Sequence, residues 1–279
     1  NMPELPEVET TKSGIAPHIK GKVVSKLVVR QPKLRWPIPD ELASLLKNQI
    51  VLDVRRRAKY LLVDVGSEKT KKLKGTVIIH LGMSGSLRVM EGKVPAAEKH
   101  EHFDLVFKSG PTLRFTDPRR FGACMWQAAG EDSNLLDHLG PEPLCDEFTD
   151  GYLFNKSRKR TSAVKTFIMD QKIVVGVGNI YASESLFLSG ISPKKAAGKV
   201  SKAKYALLTN AIKHVLAKAI ADGGTTLKDF VGSDGKPGYF AQQLRVYGRS
   251  GEPCITCDTP IKQITQGQRS TFYCPNCQK

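Results

Sequence analysis

Ile50-Val51-Leu52-Asp53-Val54-Arg55-Arg56 and, three residues on, Tyr60-Leu61-Leu62-Val63-Asp64-Val65 read as two β-rich runs. They belong to a series of eight, with Val23–Arg30, Thr76–Leu81, Ser86–Met90, Phe103–Lys108, Thr112–Thr116 and Ala123–Gln127. Turn signals separate the runs: Gly66, Gly82, Gly85, Gly110-Pro111 and Asp117-Pro118. Many short strands at this spacing predict an antiparallel sandwich or barrel. A helical pattern from Pro6 to Ile19 precedes them, and proline suits a first helical turn.

Beyond this block the texture changes. A stretch rich in Gly, Pro and Asp, from Gly130 to Gly151, reads as a linker. Helical patterns follow at Ser162–Gln171, Ile180–Leu188 and Lys202–Asp222. The end of the chain is glycine-rich, then cysteine-rich, and closes on a β-hairpin around Gly267. No internal repeat or low-complexity block interrupts it. The expected organisation is a β-sandwich domain over 2–130, a linker over 131–150, a helical domain over 151–240 and a cysteine-rich module over 241–279.

The 279 residues carry 43 Lys and Arg against 27 Asp and Glu, a net charge of +16. That excess points to a polyanionic partner, nucleic acid first and an acidic membrane surface second. Hydrophobic residues at 40% exclude a disordered chain. No apolar run approaches the roughly 18 residues of a membrane span. The opening Met2-Pro3-Glu4-Leu5-Pro6-Glu7 is acidic and carries two prolines, unlike a signal peptide. An intracellular, cytoplasmic and reducing location is expected. There the six cysteines serve as metal ligands, catalytic groups or core residues rather than disulfides.

Four of them are spaced for a metal. Cys254-x2-Cys257 and Cys274-x2-Cys277 each aim two sulfurs at one centre, and two such turns complete a tetrahedron around Zn²⁺. Iron–sulfur and disulfide pairs are the alternatives. Four thiolates leave the metal no open position, so one zinc would hold the fold and do no chemistry. Lys262, Gln266, Gln268 and Arg269 lie between the pairs and suit a finger reaching into a groove. Cys124 and Cys145 stand alone and read as small buried hydrophobes.

Val174-Val175-Gly176-Val177-Gly178-Asn179-Ile180-Tyr181 joins two helical patterns. The third glycine of a dinucleotide fingerprint is missing, and no Lys-Ser or Lys-Thr completes a phosphate loop. Asn179 is a good N-cap for the helix after it. The turn reads either as a plain connection or as a helix–turn–helix whose exposed amides hold a DNA phosphate.

The N-terminus offers a different chemistry. Removing the initiator methionine before Pro3 would expose a secondary amine. An α-amino group titrates near 7.7–8.0, so a useful fraction is neutral at pH 7. Attack by such an amine on an aldehyde-level carbon gives a permanently cationic iminium, an electron sink for eliminations. A helix N-terminus would lower its pKa further. Glu4 and Glu7 flank it and could shuttle protons. An exposed, acidic helix start is the bland alternative.

These segments together resemble the bacterial formamidopyrimidine-DNA glycosylases, which are 8-oxoguanine DNA glycosylase/AP lyases. The resemblance rests on Pro3-Glu4-Leu5-Pro6-Glu7-Val8-Glu9, Arg56-Arg57-Ala58-Lys59-Tyr60-Leu61-Leu62, His80-Leu81-Gly82-Met83-Ser84-Gly85 and Asp117-Pro118-Arg119-Arg120-Phe121-Gly122. Val175 to Glu184, Asp234-Gly235-Lys236-Pro237-Gly238-Tyr239-Phe240 and the cysteine module complete it, so it spans essentially the whole chain. It implies an α+β protein: an N-terminal helix plus antiparallel β-sandwich, then a helix–two-turn–helix domain and a zinc-finger hairpin. The implied function is excision of oxidised purines from double-stranded DNA, with strand cleavage by β,δ-elimination, by a monomer. The sister endonuclease VIII type, which removes oxidised pyrimidines, is the second reading. A non-catalytic zinc-finger DNA-binding protein is the third.

By this resemblance Pro3 is the nucleophile at C1′, Glu4 the acid/base at the sugar ring oxygen, Glu7 a supporting carboxylate and Lys59 the catalytic lysine. Met83, Arg119 and Phe121 fill the void left by the flipped nucleotide, with Arg119 donating to the orphaned cytosine. Lys165, Asn179 and Tyr247 contact phosphates, and Arg269 on the hairpin, His100 and Lys228 are implied DNA-binding residues. The segment from Lys228 to Phe240 resembles a lid over the flipped base.

Two features depart from the family's pattern. Asn1-Met2 precede Pro3, and Asn1 reads as an expression remnant. While they remain, the proline nitrogen is an amide and the chain as written should not do the chemistry. The Ser67–Gly75 segment, with Lys69, Lys71, Lys72 and Lys74, reads as a long solvated loop, with extra phosphate contact as the minor alternative.

Overall fold

The computed structural model describes residues 3–223 and 244–279. Within them the chain divides into two compact units, 3–137 in one and 138–221 with 244–279 in the other.

The first unit opens with α1 (Leu5–Ile19). Glu4 is its N-cap in an extended conformation, and Pro6 stands in its first turn, where a missing N–H costs nothing. Leu5, Val8, Ile15 and Ile19 recur at helical spacing and are buried.

Eight strands follow: β1 (Val24–Val29), β2 (Ile50–Arg57), β3 (Tyr60–Gly66), β4 (Leu73–His80), β5 (Ser86–Met90), β6 (Glu101–Phe107), β7 (Thr112–Thr116) and β8 (Ala123–Ala128). They form two four-stranded antiparallel sheets, ordered β1-β6-β7-β5 and β2-β3-β4-β8. Alternate residues of β3 and β4, among them Leu61, Val63, Val77 and Ile79, enter one core with Leu87, Phe103, Leu105, Leu113 and Phe115 of the other sheet and Val8 and Ile15 of α1. The cross-strand pair Phe103 and Phe115 stacks at 4.9 Å. The expected antiparallel sandwich is the one observed. A short α2 (Leu42–Leu46), which the sequence pattern did not signal, closes its edge against β1.

Register decides which ends of the strands matter. Tyr60 pairs with His80, and Gly66 with Leu73. The basic turn at 67–72 therefore sits about 20 Å from Lys59 along β3, at ~3.3 Å per residue, and Leu73–Gly75 of the expected loop belong to β4. The turn is exposed, and the ammonium groups of Lys71 and Lys74 are used on the backbone oxygens of Glu68 and Leu45.

The second unit holds α3 (Tyr152–Ser157), α4 (Val164–Met169), α5 (Asn179–Ser189) and α6 (Lys202–Asp222), then the hairpin of β9 (Lys262–Gln266) and β10 (Arg269–Tyr273). The turn between α4 and α5 departs from expectation. Gly178, not Asn179, caps α5, and Asn179 is its first helical residue. Residues 173–178 are buried rather than exposed, and the Gly176 amide donates to Gln171 Oε1 at 3.0 Å. Packing against the rest of the unit encloses what local sequence suggested was an open loop. No described helix is long and apolar enough to cross a membrane.

Candidate active site and nucleic-acid interface

At the start of α1 two carboxylates are out of water. Glu4 is 2% exposed and Glu7 is 3% exposed. They form a reciprocal capping box, in which Glu7 Oε2 accepts from the Glu4 backbone N–H at 3.1 Å. An exposed acidic helix start is therefore excluded. Burying two carboxylates costs several kcal/mol unless they are compensated, so this is a built site rather than a solvated surface. Pro3 immediately precedes them, half-buried.

Lys59 sits in the two-residue turn between β2 and β3, after Ala58, whose φ of 53° lets the hairpin close this tightly. Arg56 clamps this end of the hairpin. Its Nε donates to Glu9 of α1 at 3.2 Å, and another guanidinium nitrogen donates to the Ala58 carbonyl at 2.9 Å. Lys59 is half-buried. His80 lies beside the turn, with its ring 5.0 Å from that of Tyr60. Burial, and then the charges of Lys59 and Arg35, lower its pKa to about 4, so the ring is neutral at pH 7. The Gly82 N–H donates to His80 Nδ1 at 2.9 Å. His80 opens the His80–Gly85 motif but is not read from it as a site residue, and Arg35 stands in no motif.

Met83, Arg119 and Phe121 come together on the same unit. Met83 is 38% exposed and Phe121 45%, among the few large apolar side chains left in solvent. The Arg119 guanidinium carbon lies 5.0 Å from the Phe121 ring centroid. Beneath them Asp117, fully buried, accepts from Ser84 Oγ at 2.6 Å and from the Gly122 N–H at 2.8 Å. His100, half-buried, is tied in through its carbonyl, which accepts from the Asp117 N–H at 3.0 Å.

In the second unit Lys165 of α4 is 2% exposed. Its Nζ donates to Asn179 Oδ1 and Thr271 Oγ1, each at 2.5 Å, and Asn179 Nδ2 donates to the Ser270 carbonyl at 2.9 Å. Two of the expected phosphate contacts are thus brought together and fastened to the zinc-finger hairpin. Glu184 of α5 accepts from three successive backbone amides, Arg245, Val246 and Tyr247, at 2.6–3.0 Å. The Tyr247 ring packs edge-on to Phe272 at 4.9 Å. Arg269 is exposed at the hairpin tip, paired with Gln266. Lys228 and the expected lid up to Phe240 lie outside the described residues.

The four cysteine sulfurs lie within 4.8 Å of one another. Cys254 and Cys277 are 3.9 Å apart, and Cys257 and Cys274 3.5 Å. Tetrahedral zinc with sulfurs at ~2.3 Å requires separations of about 3.8 Å, so the cluster fits the ion. The amides of Thr256 and Cys277 donate to Cys254 Sγ and Cys274 Sγ, as thiolate ligands require. Desolvation, then the neighbouring thiols, push Cys277 up to about 12, whereas the side-chain hydrogen bond with Thr259 lowers Cys257 to about 6. A small core of Phe187, Val246, Ile261 and Phe272 surrounds the ligands. Cys124 is buried as expected, and burial raises its thiol pKa to about 12. Cys145 is only half-buried, in a loop, so it is not the core residue expected.

Comparison with known proteins agrees with this geometry. Residues 2–124 match the profile of the formamidopyrimidine-DNA glycosylase N-terminal domain, and 139–231 that of its H2TH domain. Residues 251–279 match a zinc finger found in FPG and IleRS. Formamidopyrimidine-DNA glycosylases of Yersinia pseudotuberculosis and Yersinia pestis are 58% identical over 277 residues, 99% of this chain and all of theirs. Two solved structures of the Lactococcus lactis protein cover 99% of this chain and all of their own. One is in complex with DNA containing an abasic site (30% identity, TM-score 0.85), the other with DNA containing N7-benzyl-Fapy-dG (31%, 0.85). With one family matched along the whole length, the chain belongs to the formamidopyrimidine-DNA glycosylases.

Proposed function

We propose that this protein is a DNA glycosylase and AP lyase of base excision repair that removes oxidised purines, 8-oxoguanine and formamidopyrimidines, from duplex DNA. The observation that carries the reading is Pro3 placed directly before two buried carboxylates at the head of α1. The domains in this reading are a catalytic sandwich over 2–130, a linker over 131–150, the helix–two-turn–helix over 151–240 and the zinc finger over 241–279. One structural zinc on Cys254, Cys257, Cys274 and Cys277 holds the hairpin. The protein acts as a monomer in the bacterial cytoplasm, at the nucleoid.

Chemistry begins once Pro3 is the first residue. Its nitrogen attacks C1′, the damaged base leaves with the glycosidic electron pair, and the amine's N–H proton passes to the departing base. Glu4 supplies a proton to the ring oxygen O4′ as the sugar opens. The product is an iminium whose nitrogen carries no hydrogen, so it stays cationic and draws electrons from C2′. Loss of a C2′ proton expels the 3′-phosphate, and a second elimination expels the 5′-phosphate. Lys59, presented by its hairpin turn, neutralises a phosphate beside the lesion. Met83 and Phe121 occupy the gap in the stack, and Arg119 donates to the cytosine left opposite.

The test is excision from one duplex with 8-oxoguanine opposite C and another with an oxidised pyrimidine. The reading predicts faster release of 8-oxoguanine and a one-nucleotide gap flanked by phosphates. Faster release of the pyrimidine would assign the chain to the other branch.

A further inference from the structure

Met83 and the Arg119–Phe121 pair come from separate loops, yet backbone and side-chain bonds fasten them into one body. Ser84 Oγ donates to Asp117 Oδ1 at 2.6 Å and accepts from the Arg119 N–H at 3.0 Å. The direction is forced, because a carboxylate oxygen only accepts and an amide only donates. Asp117 Oδ2 takes the Gly122 N–H at 2.8 Å, on the far side of Phe121. The Asp117 carbonyl is held in turn by His102 Nε2 at 2.7 Å. A Cβ at Gly82, one residue before Met83, would come within 2.5 Å of the backbone at Phe121 and Gly122, so the loops touch without room for a side chain.

We propose that Ser84 is a positioning residue for reading the base opposite the lesion, acting through Asp117 and the Arg119 backbone. The inference rests on the function proposed above, specifically on Arg119 donating to cytosine. A guanidinium discriminates between bases only if its fork is held to within about 0.5 Å. The Ser84 hydroxyl does this for the Arg119 main chain, and the Asp117 carboxylate holds that hydroxyl, and with it the Met83 loop, to the Arg119 segment. Deleting the hydroxyl frees the Arg119 amide and lets the two loops move independently.

The test is the ratio of single-turnover excision rates for 8-oxoguanine opposite C and opposite A. A ratio measured within one variant is independent of how much of the protein is folded. Five chains are compared: unaltered, Ser84→Ala, Ser84→Thr, Arg119→Ala and the double variant Ser84→Ala/Arg119→Ala. Ser84→Ala is expected to shrink the preference for C roughly two- to tenfold, the worth of one hydrogen bond. Ser84→Thr, which keeps the hydroxyl, should retain it. Adding Ser84→Ala to Arg119→Ala should change nothing further, because both act through one group. A Ser84→Ala ratio equal to the unaltered one, with Arg119→Ala reduced, overturns the brace and leaves the function standing. Loss of the preference in Ser84→Thr as well overturns it too. An Arg119→Ala ratio equal to the unaltered one overturns the reading on which the brace depends.

Discussion

Glu7 Oε2 accepts a hydrogen bond from the backbone N–H of Glu4 at 3.1 Å, inside the first turn of α1. The residue expected to move a proton is thus oriented by the residue expected to support it. Glu7→Ala removes that acceptor and should cost about 1–2 kcal/mol of stability. Glu7→Gln keeps an acceptor oxygen and should cost less. Denaturant midpoints of the three chains check this. Equal stabilities for alanine and glutamine would show that the capping bond contributes nothing.

His80 sets a pH dependence. Its folded pKa, about 4, lies below the ordinary 6.5, first through burial and then through Lys59 and Arg35. A depressed histidine contributes its full stability above about 6.5, and that contribution is lost as pH falls toward 4. That difference corresponds to roughly 3 kcal/mol. His80→Gln should flatten the stability curve between pH 6.5 and 4 by about that amount. A curve of unchanged slope in the variant would show that His80 titrates normally.

Zinc should be present at one per chain. Cys257→Ser should lose the ion and most DNA affinity, because Thr271 and Ser270 of the hairpin anchor Lys165 and Asn179. Metal analysis and a binding titration on the same preparation check it. Full affinity without zinc would contradict the assignment.

Arg269 and Lys165 should behave differently although both are expected to bind DNA. Arg269 is exposed, so Arg269→Ala should lower the slope of log K against log salt by about one and leave stability alone. Lys165 is buried among Asn179 and Thr271, so Lys165→Ala should lower stability as well as binding. Identical effects of the two substitutions would refute the distinction.

Much of this was legible in the sequence because its signals are local. Alternating apolar runs marked the strands, and α6 runs from Lys202 to Asp222 as its periodicity predicts. The paired Cys-x2-Cys turns reported the metal centre. What escaped depends on distant partners. Asn179 looks like a cap by residue type, but its side chain is spent on Ser270, 91 residues away. Ser84 and Asp117 are ordinary turn residues until a 2.6 Å bond joins them across 33 positions. The neutrality of His80 comes from burial and two charges on other segments, which no motif records. The burial of Glu4 and Glu7 is likewise tertiary, and it separates a site from an acidic helix start.

The central claim is that the Pro3 nitrogen forms the covalent bond to DNA. Its most direct test is borohydride trapping on a duplex with 8-oxoguanine opposite C, using a chain in which Pro3 is verified by mass as the first residue and another in which Met2 is retained. The account predicts a trapped adduct and strand cleavage only for the first, with lesion-dependent binding by both. Trapping at equal rates by the Met2-bearing chain would contradict it.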